Sequence, residues 1–164
     1  MQVTTVDPNT GYFEAKKQAV TTVSKFVDLD SIKQLILIPD EDFVKGQINN
    51  IGYFDKVMTF DDLEKEIIVN NLQDKVPSVR NKIGINKAAK EYKPFIWFRF
   101  DTRGSGNHEY AQFILTDPDT LEDIFVSEIH LDYIWAGVND QYTWYPLFNE
   151  MIKYIEANSQ TYRK

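Results

Sequence analysis

The sequence predicts a single α/β domain in which a mixed β-sheet is covered by helices. Apolar runs of strand length alternate with segments whose apolar residues recur at helical spacing. Of the 164 residues, 43% are apolar and 14% aromatic, which is enough for one sizeable core. No linker, repeat or low-complexity tract interrupts residues 14–164, so this range is predicted to form one domain.

The first half of the domain is predicted to alternate helices and strands. Residues 14–27 place alanines and valines on one helical face, although their β-branched residues weaken a helix. A strand is expected at 33–39, where consecutive apolar residues indicate burial on both faces. The next helix should follow Pro39 and end at Gly52, and a second strand is predicted at 53–59.

A third helix is predicted to begin at Thr59, which can form a capping box with Asp62. A loop and a short helix at 86–92 should follow. The segment 93–101, "KPFIWFRFD", carries the strongest strand pattern of the chain. Its alternation places Phe95 and Trp97 on one face, and on the other face Ile96, Phe98 and Phe100.

The remaining elements are predicted to be a hairpin and a closing helix. The runs "EYAQFILT" and "LEDIFVSEIHL" flank "DPDT", an Asp-Pro turn. A helix at 146–158 has Pro146 in its first turn and an apolar stripe facing inward. The predicted order is therefore α-β-α-β-α-(α)-β-β-β-α.

Charge and composition exclude several function classes. The net charge of −7 and the acidic pI near 4.8 argue against nucleic-acid binding, because such a surface repels phosphates. The chain has no cysteine, which excludes disulfides, thiol catalysis and thiolate metal sites. No apolar run approaches the roughly 18 residues of a membrane span. An acidic surface does suit a basic protein partner.

Residues 1–13 are predicted to be a flexible N-terminal tether. They are polar and turn-rich and lack the apolar segment of a signal peptide. Two interpretations stay open. The segment can be a native start, or it can be the beginning of a mature lipoprotein in which Met1 stands in place of the lipidated cysteine.

The order of signals from residue 33 onward resembles the N-terminal domain of TolB-like bacterial envelope proteins. The residues that carry the resemblance are "LILIP", "NNIGYFDKVMTFDDLEKEI", "YKPFIWFRF" and "ILTDPDTLEDIFVSE". The resemblance implies a TolB N-terminal-domain-like fold and a non-enzymatic protein without a cofactor. It further implies a periplasmic lipoprotein, anchored in the outer membrane, that binds another envelope component.

The aromatic segment 131–151, "LDYIWAGVNDQYTWYPLFNEM", departs from that pattern and is a candidate for partner specificity. Trp135 and Tyr145 are expected to pack on the core, whereas Trp144 and Tyr142 are expected at the surface. Tryptophan and tyrosine are common at interfaces because they combine apolar area with a polar tip. The predicted protein-binding residues are Trp144, Tyr142, Asp140, Asn139 and Arg103, the last at the tip of "TRGSGN".

A weaker polar cluster consists of His108, Glu128, His130 and Asp132. Alternation along a strand would place the last three on one face. Two histidines 22 positions apart have no standard ligand spacing, so neither a metal site nor a catalytic residue is predicted. The favoured interpretation is a solvated strand face. The glycines of "TRGSGN" are likewise interpreted as a hairpin loop rather than a phosphate loop.

Three functions remain open at this stage. The favoured hypothesis is an envelope binding module anchored to the outer membrane by lipid. The alternative is a cytoplasmic immunity or inhibitor protein that occludes the active site of a bacterial toxin. The third is an enzyme centred on His108 and His130.

Overall fold

Six strands and four α-helices make up the part of the chain that the computed structural model describes, residues 4–132 and 140–163. The strands are β1 (Val20–Ser24), β2 (Ile36–Ile38), β3 (Val57–Thr59), β4 (Ile96–Arg103), β5 (Tyr110–Asp117) and β6 (Glu122–His130). The helices are α1 (Asp42–Ile51), α2 (Phe60–Val69), α3 (Lys82–Glu91) and α4 (Tyr145–Asn158). The predicted single domain with a mixed sheet and helices is confirmed.

The strands form one sheet in the order β1-β6-β5-β4-β2-β3. Strands β2, β3 and β4 run parallel, with α1 connecting β2 to β3 and the pair α2–α3 returning the chain to β4. Strands β4, β5, β6 and β1 pair in antiparallel fashion. The sheet therefore has a parallel half built from crossovers and an antiparallel half built from a hairpin and an added edge strand.

Helices lie on both sides of the sheet, but they do not cover both sides equally. On one side α1 and α4 pack over a large core that includes Ile48, Phe98, Phe113 and Phe148. On the other side α2 and α3 cover a smaller core to which the sheet contributes residues of β2 and β3, together with Trp97 of β4 and Phe95 just before it. On the antiparallel half of the sheet, the side that bears α2 and α3 therefore extends past this smaller core.

The prediction of a helix at 14–27 is wrong. Residues Val20–Ser24 form the edge strand β1, which pairs with β6 through a bulge between Thr21 and Val23. Its residues alternate between exposed and half-buried, as expected for a strand with one covered side. The β-branched run that weakened the helix favours a strand, and pairing with β6 satisfies its backbone.

Most other elements are confirmed with shifted ends. Gly52 ends α1 with φ of 71°, and Thr59 and Asp62 form the predicted capping box of α2. Helix α3 begins at Lys82, four positions before the predicted start, because Asn81 accepts a hydrogen bond from the Gly84 amide at 2.8 Å. Strands β2 and β3 are shorter than the predicted segments 33–39 and 53–59.

The N-terminal segment, where it is described, lies against α4. The amide of Phe13 donates to Asn149 at 2.8 Å, and the Phe13 side chain is only 3% exposed. The Tyr12 hydroxyl donates to Glu156 at 2.9 Å, and the Thr4 hydroxyl donates to Tyr145 at 3.0 Å. These contacts differ from the prediction of a flexible tether over residues 1–13. Within the described residues, no helix is long and apolar enough to cross a membrane.

Candidate functional site

On the antiparallel half of the sheet, the side that bears α2 and α3 carries a group of polar side chains that we call the polar sheet face. It consists of Arg103, Tyr110, Gln112, Glu128 and His130. Tyr110 is paired with Arg103 on β4 and with His130 on β6, and Gln112 is paired with Glu128. Because residues two apart on a strand share a face, these five side chains project to the same side. Arg103 and His130 are exposed, and the other three are half-buried.

Arg103 and Glu128 form a bidentate ion pair across the strands. The Arg103 Nε and Nη2 atoms donate to the two Glu128 carboxylate oxygens at 2.7 and 2.6 Å. Gln112 Nε2 donates to the same carboxylate at 3.0 Å. These hydrogen bonds, that of Arg103 first, hold the pKa of Glu128 below its usual value, and the pair raises the pKa of Arg103. Glu128 is therefore a fixed anion at neutral pH, unsuited to proton transfer.

Tyr110 joins this ion pair to His130. The Arg103 guanidinium carbon lies 4.1 Å from the centroid of the Tyr110 ring, on which it stacks. The His130 ring meets Tyr110 edge to face, with centroids 5.3 Å apart. His130 also forms a hydrogen bond through Nε2 with the carbonyl oxygen of Asn107. The result is a continuous row of one cation and two rings, held in fixed positions on strands.

The weak polar cluster is only partly assembled. Glu128 and His130 share the polar sheet face with Arg103, whereas Asp132 lies two residues beyond the end of β6. His108 is exposed and sits on the short 3-10 turn Gly106–His108. Over residues 4–132 and 140–163, no group of three or more His, Asp or Glu side chains could hold a metal ion.

The "TRGSGN" segment connects β4 to β5, as predicted for a hairpin loop. Gly104 has φ of 80°, and a Cβ atom there would come within 1.9 Å of the His108 carbonyl oxygen. This close approach explains why the loop carries glycine at that position. Arg103 is the last residue of β4 rather than a loop-tip residue, and its guanidinium lies over the sheet.

Trp144 is not the exposed ring that the sequence suggested. It is half-buried and stacks on Phe113 at 6.1 Å between centroids, and its edge contacts Phe100 at 5.0 Å. Its Nε1 atom is buried and has no acceptor among the described residues. Trp144 therefore packs on the core, as does Tyr145, which is 4% exposed.

Of the four other residues singled out in the aromatic segment, the structure describes two. Tyr142 and Asp140 are half-buried in the π-helical turn that leads into α4, and Lys16 Nζ lies 6.0 Å from the Tyr142 ring centroid. Trp135 and Asn139 lie outside the described residues.

An aromatic cavity of about 340 Å³ lies on the opposite side of the sheet from the polar sheet face. Its walls include five rings and one carboxylate, namely Phe43, Phe100, Phe113, Trp144, Phe148 and Glu41. This cavity was not predicted from the sequence. The alternation in "FIWFRF" placed Phe100 on the correct face, but no local pattern indicates that α1 and α4 leave a gap above it.

No protein-family model matches the chain. No curated protein and no solved structure is significantly similar to it. Function must therefore be inferred from the two surfaces described above.

Proposed function

We propose that the protein is a non-enzymatic protein-binding module and that the polar sheet face contacts its partner. The observation that carries the proposal is the row Arg103–Tyr110–His130, which lies on rigid strands beyond the core beneath α2 and α3. The two helices that cover β2 and β3 on this side leave these side chains half-buried or exposed.

The composition of the row is typical of residues that dominate binding energy. Arginine and tyrosine are enriched among interface hot spots, because they bury large areas and still form directed hydrogen bonds. The guanidinium of Arg103 is already oriented by Glu128 and Tyr110, so a partner would not have to order it. A partner carboxylate or backbone carbonyl could accept from its remaining N–H groups.

The cell envelope is the location that we propose, with a lipid anchor in the outer membrane facing the periplasm. The support is the TolB-like order of sequence signals together with the lipoprotein-like residues that precede Phe13. The test is the intact mass and detergent partitioning of the protein from its native host. A mass excess of a diacyl or triacyl cysteine is expected, and an unlipidated cytosolic protein would overturn this part of the proposal.

A second candidate is an immunity or inhibitor protein for a toxin. The net charge of −7 favours it, because an acidic inhibitor is steered electrostatically to a basic active site. It shares the binding mode but differs in location and partner. A cytosolic protein that forms a tight one-to-one complex with a toxin would favour this candidate over the envelope module.

Replacing Arg103 tests the polar sheet face directly. Arg103→Ala should weaken partner affinity by about 2 kcal/mol, roughly thirtyfold, if this residue is a hot spot. The partner is first identified with a photoreactive residue placed on the polar sheet face. Its affinity is then measured by titration calorimetry.

Stability distinguishes a binding role from a folding role. The Arg103 side chain is 49% exposed, so losing its ion pair should lower the Tm only slightly. Lys65→Ala on α2 is the matched control, since Lys65 is exposed and has no ion-pair partner among the described residues. Equal affinities of the two variants would exclude the polar sheet face as the interface.

A further inference from the structure

The aromatic cavity has a wall of connected rings. Phe113 contacts Phe148 at 4.7 Å between centroids and stacks on Trp144 at 6.1 Å. Phe43 extends the wall through an edge contact with Phe148 at 6.5 Å. These residues come from α1, β5, the π-helical turn Asp140–Trp144 and α4, so the shape of the cavity is fixed by the packing of four elements.

The cavity lies over the face of the sheet near the carboxyl ends of the parallel strands β2 and β4. The chain leaves the carboxyl end of β2 toward β3 on one side, and it leaves β4 toward β5 on the other. Pro39, which follows β2, and Phe100, late in β4, both line the cavity. Its volume, about 340 Å³, lies within the range of small-molecule sites.

Glu41 is the one charged residue of the lining, as far as the structure describes the chain. It is exposed, precedes α1 and makes no capping hydrogen bond. Two nearby carboxylates, Asp40 and Asp62, are held in ion pairs. Asp40 pairs with Arg80 at 2.7 Å, and Asp62 pairs with Lys45 at 2.9 Å. Glu41 has no such ion pair among the described residues, so its carboxylate is accessible to a cation at the cavity.

We propose that this cavity binds a small organic cation, an ammonium group carried on an apolar body. The aromatic wall would bury the apolar body, and the negative faces of its rings attract a cation. The Glu41 carboxylate would supply the opposite charge at the edge of the cavity. A neutral ligand would gain only from burial, and an anionic ligand would be repelled by Glu41. This site is separate from the polar sheet face, so its existence does not depend on the proposed function.

The test compares three probes of nearly equal size and different charge: phenethylammonium, 2-phenylethanol and 3-phenylpropionate. Binding is followed by the NMR signal of the Trp144 indole N–H, assigned by its loss in Trp144→Phe. The cation should shift this signal saturably at millimolar concentration and should bind at least about fivefold more tightly than the alcohol. The carboxylate should bind most weakly.

Two variants separate the carboxylate of the cavity from net charge. Glu41→Gln should weaken phenethylammonium at least about fivefold and leave 2-phenylethanol unchanged. Asp42→Asn removes the same charge one residue further on, at an exposed position that does not line the cavity, and should leave both affinities unchanged.

Several results would overturn the proposal. The absence of a saturable shift with any probe would exclude the site. Equal affinities of the three probes in the unaltered protein would exclude its selectivity for cations, without requiring any variant. Equal effects of Glu41→Gln and Asp42→Asn would show that only net charge matters.

Discussion

Asp30 fixes the C-terminal end of the chain through a dense set of hydrogen bonds. Its Oδ1 atom accepts from the hydroxyls of Tyr53, Ser159 and Thr161 at 2.7, 2.6 and 3.0 Å. Its Oδ2 atom accepts from the Gln160 amide at 2.7 Å. These bonds, that of Ser159 first and that of Tyr53 next, hold the pKa of Asp30 well below its ordinary value of 3.8.

The sign of the pH dependence follows from this depressed pKa. The stabilisation by Asp30 is fully present above pH 3.8, and it is lost as the pH falls from there through the lower folded-state pKa. Asp30→Asn should therefore lower the Tm at about pH 7, and the difference from the unaltered protein should shrink at about pH 3. Thermal unfolding followed by circular dichroism measures both.

Asp28→Asn is the control for Asp30, because the exposed Asp28 makes no capping hydrogen bond to the short 3-10 helix Leu29–Ser31. Its Tm should change less than that of Asp30→Asn at neutral pH. Equal changes would show that the hydrogen bonds of Asp30 do not stabilise the fold.

Among the elements, the N-terminal segment and β1 differ most from the sequence-based expectation. Both were assigned from local pattern, yet both are determined by contacts with α4 and β6, more than 100 residues away. Gly52, the Thr59–Asp62 capping box and the hairpin were predicted correctly, since each depends on residues close together in sequence. Pairing between distant segments leaves no comparable local signal.

The packing of Phe13 is tested by truncating its side chain. Phe13 stacks on Tyr145 at 5.1 Å between centroids and contacts Phe148 at 5.8 Å. Phe13→Ala should lower the free energy of unfolding by about 3–5 kcal/mol, because it removes a buried ring and leaves a cavity. Denaturant unfolding followed by fluorescence gives this quantity.

Phe26→Ala serves as the comparison, because Phe26 is 85% exposed and its loss should change stability by no more than about 0.5 kcal/mol. A similarly small change for Phe13→Ala would mean that the N-terminal segment does not belong to the folded domain.

For the whole molecule, the sequence predicted a single domain with a mixed sheet covered by helices, but not the two surfaces for which we propose functions. Arg103, Glu128 and His130 were each singled out, yet only the strand register brings them together around Tyr110. Trp144 was chosen for exposure, and instead it lines the aromatic cavity. Such sites depend on the sheet order and on gaps between packed helices, which local periodicity does not encode.

The central claim is that a partner binds the polar sheet face, and site-specific photocrosslinking in the native host tests it most directly. A photoreactive residue is placed at Asp101, an exposed position that pairs with Gln112 on this face. Lys65 on α2 is the control position. We expect one discrete adduct from position 101, lost on addition of Arg103→Ala, and none from position 65. No adduct from position 101, or the same adduct from both positions, would contradict the account.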